Sequence, residues 1–246
     1  MEIVIIVGHR GDILNFPENT IPAFESAISA GVDYVEFDVR KTRDGVLIIM
    51  HDENVQRTTD GVGKISEMRY EEVAELDAGS WFDKRFEGLK VPTLEETLRC
   101  LKDRCGAYLE IKVDGIEEEV IQILEETKMV KDTLILDGND VEKLKRVRKL
   151  SPFTPTEFQA ISSEEKWIDM ALEAGSRVIS IHKKLINRDF VEKAHFRCLL
   201  VTTWPLVGVN EVLRAVNMGV DHLVTDDPWG TISILRNYNH KLRQGK

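Results

Sequence analysis

Residues Tyr34 to Asp52 read YVEFDVRKTRDGVLIIMHD. Side chains alternate faces along a strand, so Glu36 and Asp38 share one face of the first run and Val35, Phe37 and Val39 share the other. Thr42-Arg43-Asp44-Gly45 is a turn signal, and Val46 to Met50 is a second strand-like run that ends in His51-Asp52. No helix fits between the two runs. The segment is therefore expected to fold back as a hairpin that returns His51 to the level of the two carboxylates.

Outward from this hairpin, strand-like and helix-like patterns alternate. Further strands are expected at Ile3 to Val7, Ala107 to Ile111, Leu134 to Leu136, Val178 to Ile181, Leu199 to Thr203 and His222 to Val224, with the weakest pattern at Glu157 to Ala160. Helices are expected from a Thr20 cap to Ala30, after the Thr93-Leu94-Glu95-Glu96 capping box, over Glu117 to Thr127, Val141 to Leu150 and Ser163 to Ala174, and from an Asn210 cap to Gly219. Repeated strand-then-helix order implies a parallel sheet. A chain of 246 residues is close to the roughly 250 of one β/α barrel. The expected fold is α/β, a single TIM-type (β/α)8 barrel over residues 1–246. The strand candidates exceed eight by one, and the hairpin accounts for the surplus. From about 52 to 91 the chain is polar and turn-rich, too long for a plain loop. It is expected to be an insertion over one barrel end, with a short helix near Tyr70 to Leu76.

Bulk properties narrow the function. No apolar run approaches the roughly 20 residues of a membrane span. The start at Met1-Glu2 lacks a basic leader, so no signal peptide and a cytoplasmic location are expected. The net charge of −10 argues against a nucleic-acid partner. It is compatible with a small anionic substrate, because a bound cation reverses the local field. Cys100, Cys105 and Cys198 lack the spacing of a zinc site and are expected to be reduced thiols. The charged share of 31% leans towards a heat-adapted source. The composition leaves monomer and homodimer both open.

Several residues carry chemistry. Gly8-His9-Arg10-Gly11 sets His9 and Arg10 at the C-terminal end of a strand, the catalytic face of a barrel. His shuttles protons near neutrality and Arg grips phosphate at two points; an exposed polar turn is the plainer alternative. Glu36 and Asp38 repel each other and are costly to bury unpaired. Either a hard divalent cation with oxygen ligands or salt bridges to Lys or Arg would meet that cost. Glu110 and Lys112 again share a face. They are either a third carboxylate ligand and a phosphate-binding cation, or an ordinary ion pair. Trp204 either walls the apolar side of a small ligand or is plain core. Asp226 either orients His9 or caps the next helix. Together these residues suit phosphodiester cleavage. Cations offset the developing charge, one His takes a proton from the nucleophile, and the other protonates the leaving oxygen.

The ordered set Gly8-His9-Arg10-Gly11, Pro17-Glu18-Asn19-Thr20, Glu36-Phe37-Asp38, His51-Asp52 and Arg57-Thr58-Thr59 resembles the glycerophosphodiester phosphodiesterase family. So do Asp77-x-Gly79-Ser80-Trp81-Phe82, Val91-Pro92-Thr93-Leu94-Glu95-Glu96, Glu110-x-Lys112 and Thr225-Asp226-x-Pro228. The resemblance implies a barrel that hydrolyses glycerophosphodiesters, such as glycerophosphocholine or glycerophosphoethanolamine, to sn-glycerol 3-phosphate and an alcohol. It implies His9 and His51 as the acid–base pair. Glu36, Asp38 and Glu110 become ligands of one divalent cation (Mg²⁺, Mn²⁺ or Ca²⁺), and Arg10 and Lys112 bind phosphate. Attack by the substrate's own glycerol hydroxyl, through a cyclic phosphate, and attack by water both remain open.

Three departures touch the substrate rim more than the metal centre. Leu136-Asp137 replaces the family's usual Ser-Phe, Trp204 is followed by Pro205-Leu206-Val207, and Phe153 to Ala160 matches poorly. Pro205 restrains itself and its neighbour, so a differently shaped last loop is expected. Two alternatives stand beside the main reading. A lysophospholipase D would want an exposed apolar rim. Trp81, Phe82, Phe86 and Leu89 would supply it, or else form a small core of the insertion. A catalytically silent binder would be expected to lack a His or a carboxylate, and here all the carried-over positions are intact.

Overall fold

Eight parallel strands close into a ring in the computed structural model, which describes residues 4–243. The chain runs β1 (Ile5–Gly8), α1 (Ile21–Ala30), β2 (Tyr34–Lys41), β3 (Leu47–Ile49), α2 (Tyr70–Glu75), α3 (Leu94–Leu101) and β4 (Gly106–Ile111). It continues through α4 (Glu117–Thr127), β5 (Thr133–Leu136), α5 (Val141–Leu150), β6 (Thr156–Ala160) and α6 (Lys166–Glu173). The last third holds β7 (Val178–His182), α7 (Arg188–Phe196), β8 (Leu200–Leu206), α8 (Gly208–Met218), β9 (His222–Thr225) and α9 (Pro228–Arg243). The ladder passes β1-β9-β8-β7-β6-β5-β4-β2, and β1 pairs with β2 at Val7 and Tyr34 to close it. The extra strand is β3, antiparallel to β2 with Val39 opposite Ile49. Met1, Glu2 and Ile3, on which the leader reading and the start of the first strand rested, lie outside the described residues. Among the described residues no helix is long and apolar enough to cross a membrane.

The alternation in β2 sorts its side chains as the pattern required. Val35, Phe37 and Val39 point outward and pack, fully buried, against Phe24 and Ala27 of α1 and Leu94 and Leu98 of α3. Removing each such side chain from water stabilises the fold by roughly 1.5–3 kcal/mol. The opposite face points into the barrel. Its lower interior is filled by Val7, Tyr108, Leu134, Val178 and Val224, which leaves the upper level for polar groups.

Several local expectations need correction. Thr20 stands at the α1 cap, but its Oγ1 donates to Pro17 O (2.7 Å) instead of accepting from the helix. α8 opens at Gly208 behind Val207, so Asn210 is inside the first turn. α6 starts at Lys166 instead of Ser163. The weak Glu157 to Ala160 pattern is a full barrel strand, β6. α7 and α9 are additional to the helices expected. α7 nonetheless carried a signal, since Asn187 caps it by accepting from Phe190 N (2.9 Å). The Thr93–Glu96 capping box forms as read.

Between β3 and α3 the chain builds short 3-10 turns and α2 around a core of its own, with Ile48, Val55, Ile65 and Val73 buried at its centre. Asp77 ties this segment together. Its Oδ1 accepts from the N–H groups of Gly79 (2.7 Å) and Ser80 (3.0 Å), and its Oδ2 from Gly88 (2.8 Å). Burial opposes ionisation there, yet these three donors hold the carboxyl down to about 2. Trp81, Phe82 and Phe86 pack on one another at ring distances of 5.6 and 5.8 Å, and Phe86 reaches Phe16 at 5.4 Å. Through Phe86 the segment is pinned to the β1–α1 connection, while Trp81 stays exposed at 39%. The tightest point is Gly79, where an added Cβ would meet the carbonyl oxygen of Phe86 at 1.9 Å. Gly79→Ala is expected to cost about 1–3 kcal/mol in urea unfolding, because backbone against backbone cannot repack by rotation. An unchanged midpoint would show that the turn relaxes freely.

Candidate active site

β2 carries Glu36 and Asp38 inward, and the β2–β4 ladder sets Asp38 opposite Glu110. The three carboxylates offer ligand oxygens that all lie within 4.8 Å of one another. Both Glu36 and Asp38 are buried, at 4% and 0% exposure. Burial first, and the neighbouring Asp38 second, push Glu36 up to about 8. Asp38 moves the other way: burial resists its charge, but Lys112, Arg10 and His51 hold it below the usual carboxylate range.

The salt bridges weighed against a cation are present beside the triad. Lys112 Nζ lies 2.7 Å from Glu110 Oε1 and 3.2 Å from Asp38 Oδ1, and Arg10 Nε lies 3.3 Å from Asp38 Oδ2. They do not exhaust it. Glu36 receives the Arg10 backbone N–H (2.9 Å), and no Lys or Arg side chain among the described residues pairs with it. Asp38 Oδ1 is sealed from solvent without a well-formed hydrogen bond. Three converging carboxylates, one of them able to ionise only at a cost, are a donor set that fits a divalent cation preferring oxygen.

The turn after β1 aims the next two residues. Arg10 (φ 52) and Gly11 (φ 93) are both left-handed, and a Cβ on Gly11 would lie 2.6 Å from the Ala23 backbone, so only glycine fits there. His9 Nδ1 stands 2.6 Å from Asp226 Oδ1. Burial lowers the His9 pKa, but the Asp226 hydrogen bond and the Glu36 charge outweigh it and the net shift is upward. Of the two roles open to Asp226, the structure has it holding His9, while its neighbour Asp227 caps α9 by accepting from Gly230 N (2.9 Å). His51 follows Met50, whose N–H donates to Asp38 O (2.9 Å), so the hairpin brings it to the triad. His51 Nδ1 is 2.7 Å from Asp52 Oδ1. Both imidazoles therefore engage a carboxylate through Nδ1, which leaves Nε2 for proton transfer.

A charged chain joins the two halves of the site. Asp52 accepts from Arg57 (2.6 and 3.1 Å), Arg57 donates to both oxygens of Glu18 (2.8 Å each), and Glu18 accepts from Arg10 (2.9 Å). Asn19 Nδ2 donates to Asp38 Oδ2 (2.9 Å). Residue-by-residue reading assigned no role to Glu18, Asn19 or Arg57. The available signal was their place in the Pro17-Glu18-Asn19-Thr20 and Arg57-Thr58-Thr59 stretches. Their partnership crosses 39 residues of chain, which no local pattern reveals.

These groups open on a cavity of about 250 Å³. His9, Arg10, Glu36, His51, Glu110 and Lys112 line it, together with Trp204, Tyr108, Leu136 and Glu157. Trp204 lies within β8, which continues through a cis peptide to Pro205 and on to Leu206, and its ring meets His182 edge-on at 5.1 Å. Of the Leu136-Asp137 departure, Leu136 lines the cavity. Asp137, by contrast, is buried near Lys143 (3.7 Å) and pushed up to about 7 by burial. The cysteines are all free thiols.

The model of the glycerophosphoryl diester phosphodiesterase family matches residues 9–229. A glycerophosphodiester phosphodiesterase of Caldanaerobacter subterraneus subsp. tengcongensis is 33% identical over 94% of this chain and 98% of its own. One from Bacillus subtilis is 31% identical over 98% of this chain and 87% of its own. Among solved structures, the glycerophosphodiester phosphodiesterase of Agrobacterium tumefaciens superposes with a TM-score of 0.84 at 30% identity, covering 94% of this chain and all of that one. An Oleispira antarctica phosphodiesterase, solved with its product sn-glycerol-3-phosphate, superposes at 0.86 with 25% identity over 96% and 97% of the two chains. A match that spans the barrel from its first catalytic-face residue to the start of α9, with relatives above 30% identity along nearly the whole chain, makes this protein a member of the glycerophosphoryl diester phosphodiesterase family and an enzyme of that class.

Proposed function

We propose that this cavity hydrolyses glycerophosphodiesters to sn-glycerol 3-phosphate and an alcohol, with His9 and His51 as the acid–base pair. The observation that carries the reading is convergence: two carboxylate-tethered imidazoles, two cations and the carboxylates of Glu36 and Glu110 line one cavity, and Asp38 completes the triad with them. The product-bound Oleispira relative supports the substrate class. Glu36, Asp38 and Glu110 would hold one Mg²⁺, Mn²⁺ or Ca²⁺ ion, whose charge would offset the negative charge that develops on the phosphate. Arg10 and Lys112 grip the phosphate oxygens. Asp226 and Asp52 keep each Nδ1 occupied, so that one Nε2 withdraws the nucleophile's proton and the other delivers a proton to the leaving oxygen. Trp204 walls the apolar side of the ligand. The whole chain is read as one barrel domain with residues of about 52–91 inserted, acting in the cytoplasm, as its free thiols favour. Every named group comes from one chain, so the reading holds for a monomer or a homodimer.

Chelator-stripped protein is expected to release glycerol 3-phosphate from glycerophosphocholine or glycerophosphoethanolamine only after Mg²⁺, Mn²⁺ or Ca²⁺ is restored. Folded protein that releases none with any ion would overturn the proposal. His9→Ala and His51→Ala should each lower kcat by about 10²-fold or more. Losses of less than tenfold in both would remove them from acid–base roles.

The charge on Glu36 makes a pH prediction. A carboxyl pushed up to about 8 is mostly protonated at neutral pH, and an incoming cation must displace that proton. Apparent Mn²⁺ affinity should therefore rise with pH, by up to about tenfold per unit, and level off above about 8. Calorimetry in buffers of different ionisation enthalpy reads the released proton, and a pH-independent affinity would refute this linkage. Arg57→Ala should lower the rate by about tenfold through loss of its ion pairs with Asp52 and Glu18, with the metal affinity nearly unchanged. Equal loss of metal binding would instead mean that the whole site had collapsed.

A further inference from the structure

Glu157 lies inside the barrel at 1% exposure, yet it takes no part in the chemistry above. Its Oε2 accepts from Tyr108 OH and from Thr202 Oγ1 (2.7 Å), both uncharged donors. Ser180 lies beside it as a further uncharged neighbour, and the side chain lines the catalytic cavity. Every other carboxylate at the cavity has a counter-charge or a stated use: Lys112 serves Glu110, Lys112 and Arg10 serve Asp38, and Glu36 belongs to the triad. No Lys, Arg or His among the described residues pairs with Glu157. It is the uncompensated acid of the cavity, in surroundings where an unpaired charge is costly.

Its neighbours indicate what would compensate it. Tyr108 and Trp204 line the same cavity, and Tyr108 touches Glu157 through its hydroxyl. A carboxylate in a cavity that aromatic residues also line suits an alkylammonium ion, which gains from both the charge and the ring quadrupoles. A neutral polyol would bring Glu157 no counter-charge. Position agrees with charge. The ladder sets Glu110 opposite Leu136 and Leu136 opposite Glu157, so Glu157 stands two strands from the triad. That is roughly 10 Å between backbones and less between inward side chains, within reach of a phosphate ester with a two-carbon ammonium arm. The cavity thus has two poles, one with the Arg10 and Lys112 cations and one with Glu157, whose carboxyl burial pushes up to about 7 and which an incoming ammonium ion would hold ionised.

We propose that Glu157 forms, with Trp204 and Tyr108, a subsite for the cationic alcohol of the diester, so that the enzyme prefers ammonium-bearing leaving groups over neutral ones. The proposal rests on reading the cavity as the diester site. The test compares kcat/KM for glycerophosphoethanolamine and for glycerophosphoglycerol, whose leaving alcohol is neutral, in the cation-loaded wild type and in Glu157→Gln. Gln keeps an acceptor for Tyr108 and Thr202 but removes the charge. The variant should lose about tenfold or more on the ammonium substrate and stay within about threefold on the neutral one. Equal losses on both, or none on either, would overturn the subsite. Should the folded wild type cleave neither substrate, the diester reading fails instead. The subsite is then judged by calorimetric titration of the wild type with ethanolamine and with glycerol. Binding of ethanolamine alone supports it, and binding of both or neither refutes it. The titration needs no variant, so it also decides the matter if Glu157→Gln does not fold.

Discussion

Three carboxylates confined within a barrel interior set the terms for everything around them. At separations below 4.8 Å they cannot all be ionised without compensation. The protein answers in two ways. It raises Glu36 by burial and lets Lys112 and Arg10 hold Asp38 ionised. The result is a close triad whose members differ in how readily they ionise. Its geometry is set by the barrel strands, which are held from outside by Phe37, Phe24 and Leu98.

The segment between β3 and α3 is more than a cover. Its own core holds Arg57 and Asp52 at the barrel mouth, and from there one guanidinium reaches both Asp52 and Glu18. Through these contacts the position of the His51 ring is linked to that of the Arg10 side chain, although they stand on different strands. The two imidazoles are held alike, each with a carboxylate on Nδ1, but the carboxylates come from opposite ends of the chain. Asp52 is adjacent to its His, and Asp226 is 217 residues from its own.

Leu136 and Glu157 lie where the chain departs from, or matches poorly, the family pattern, and both line the cavity. The carboxylate triad stands on β2 and β4, whereas Leu136, Glu157 and Trp204 stand on β5, β6 and β8, with Tyr108 on β4 reaching across to Glu157. This separation follows from the barrel itself, in which each strand contributes its own inward residues to a common floor.

Much of this was legible in the sequence because it depends on short-range periodicity. The two-residue alternation of β2 decided which side chains face the barrel, and the turn at Thr42 to Gly45 decided that His51 returns beside Glu36 and Asp38. The strand-then-helix order decided the barrel. What the sequence alone could not decide were relations between distant segments: which of two roles Asp226 takes, that Arg57 meets Glu18, and that Glu157 sits unpaired beside Tyr108. The physical reason is that a repeating pattern reports only the face on which a residue lies. Which residue it meets there is set by strand order, register and closure of the ring, and these exist only once the whole chain has packed.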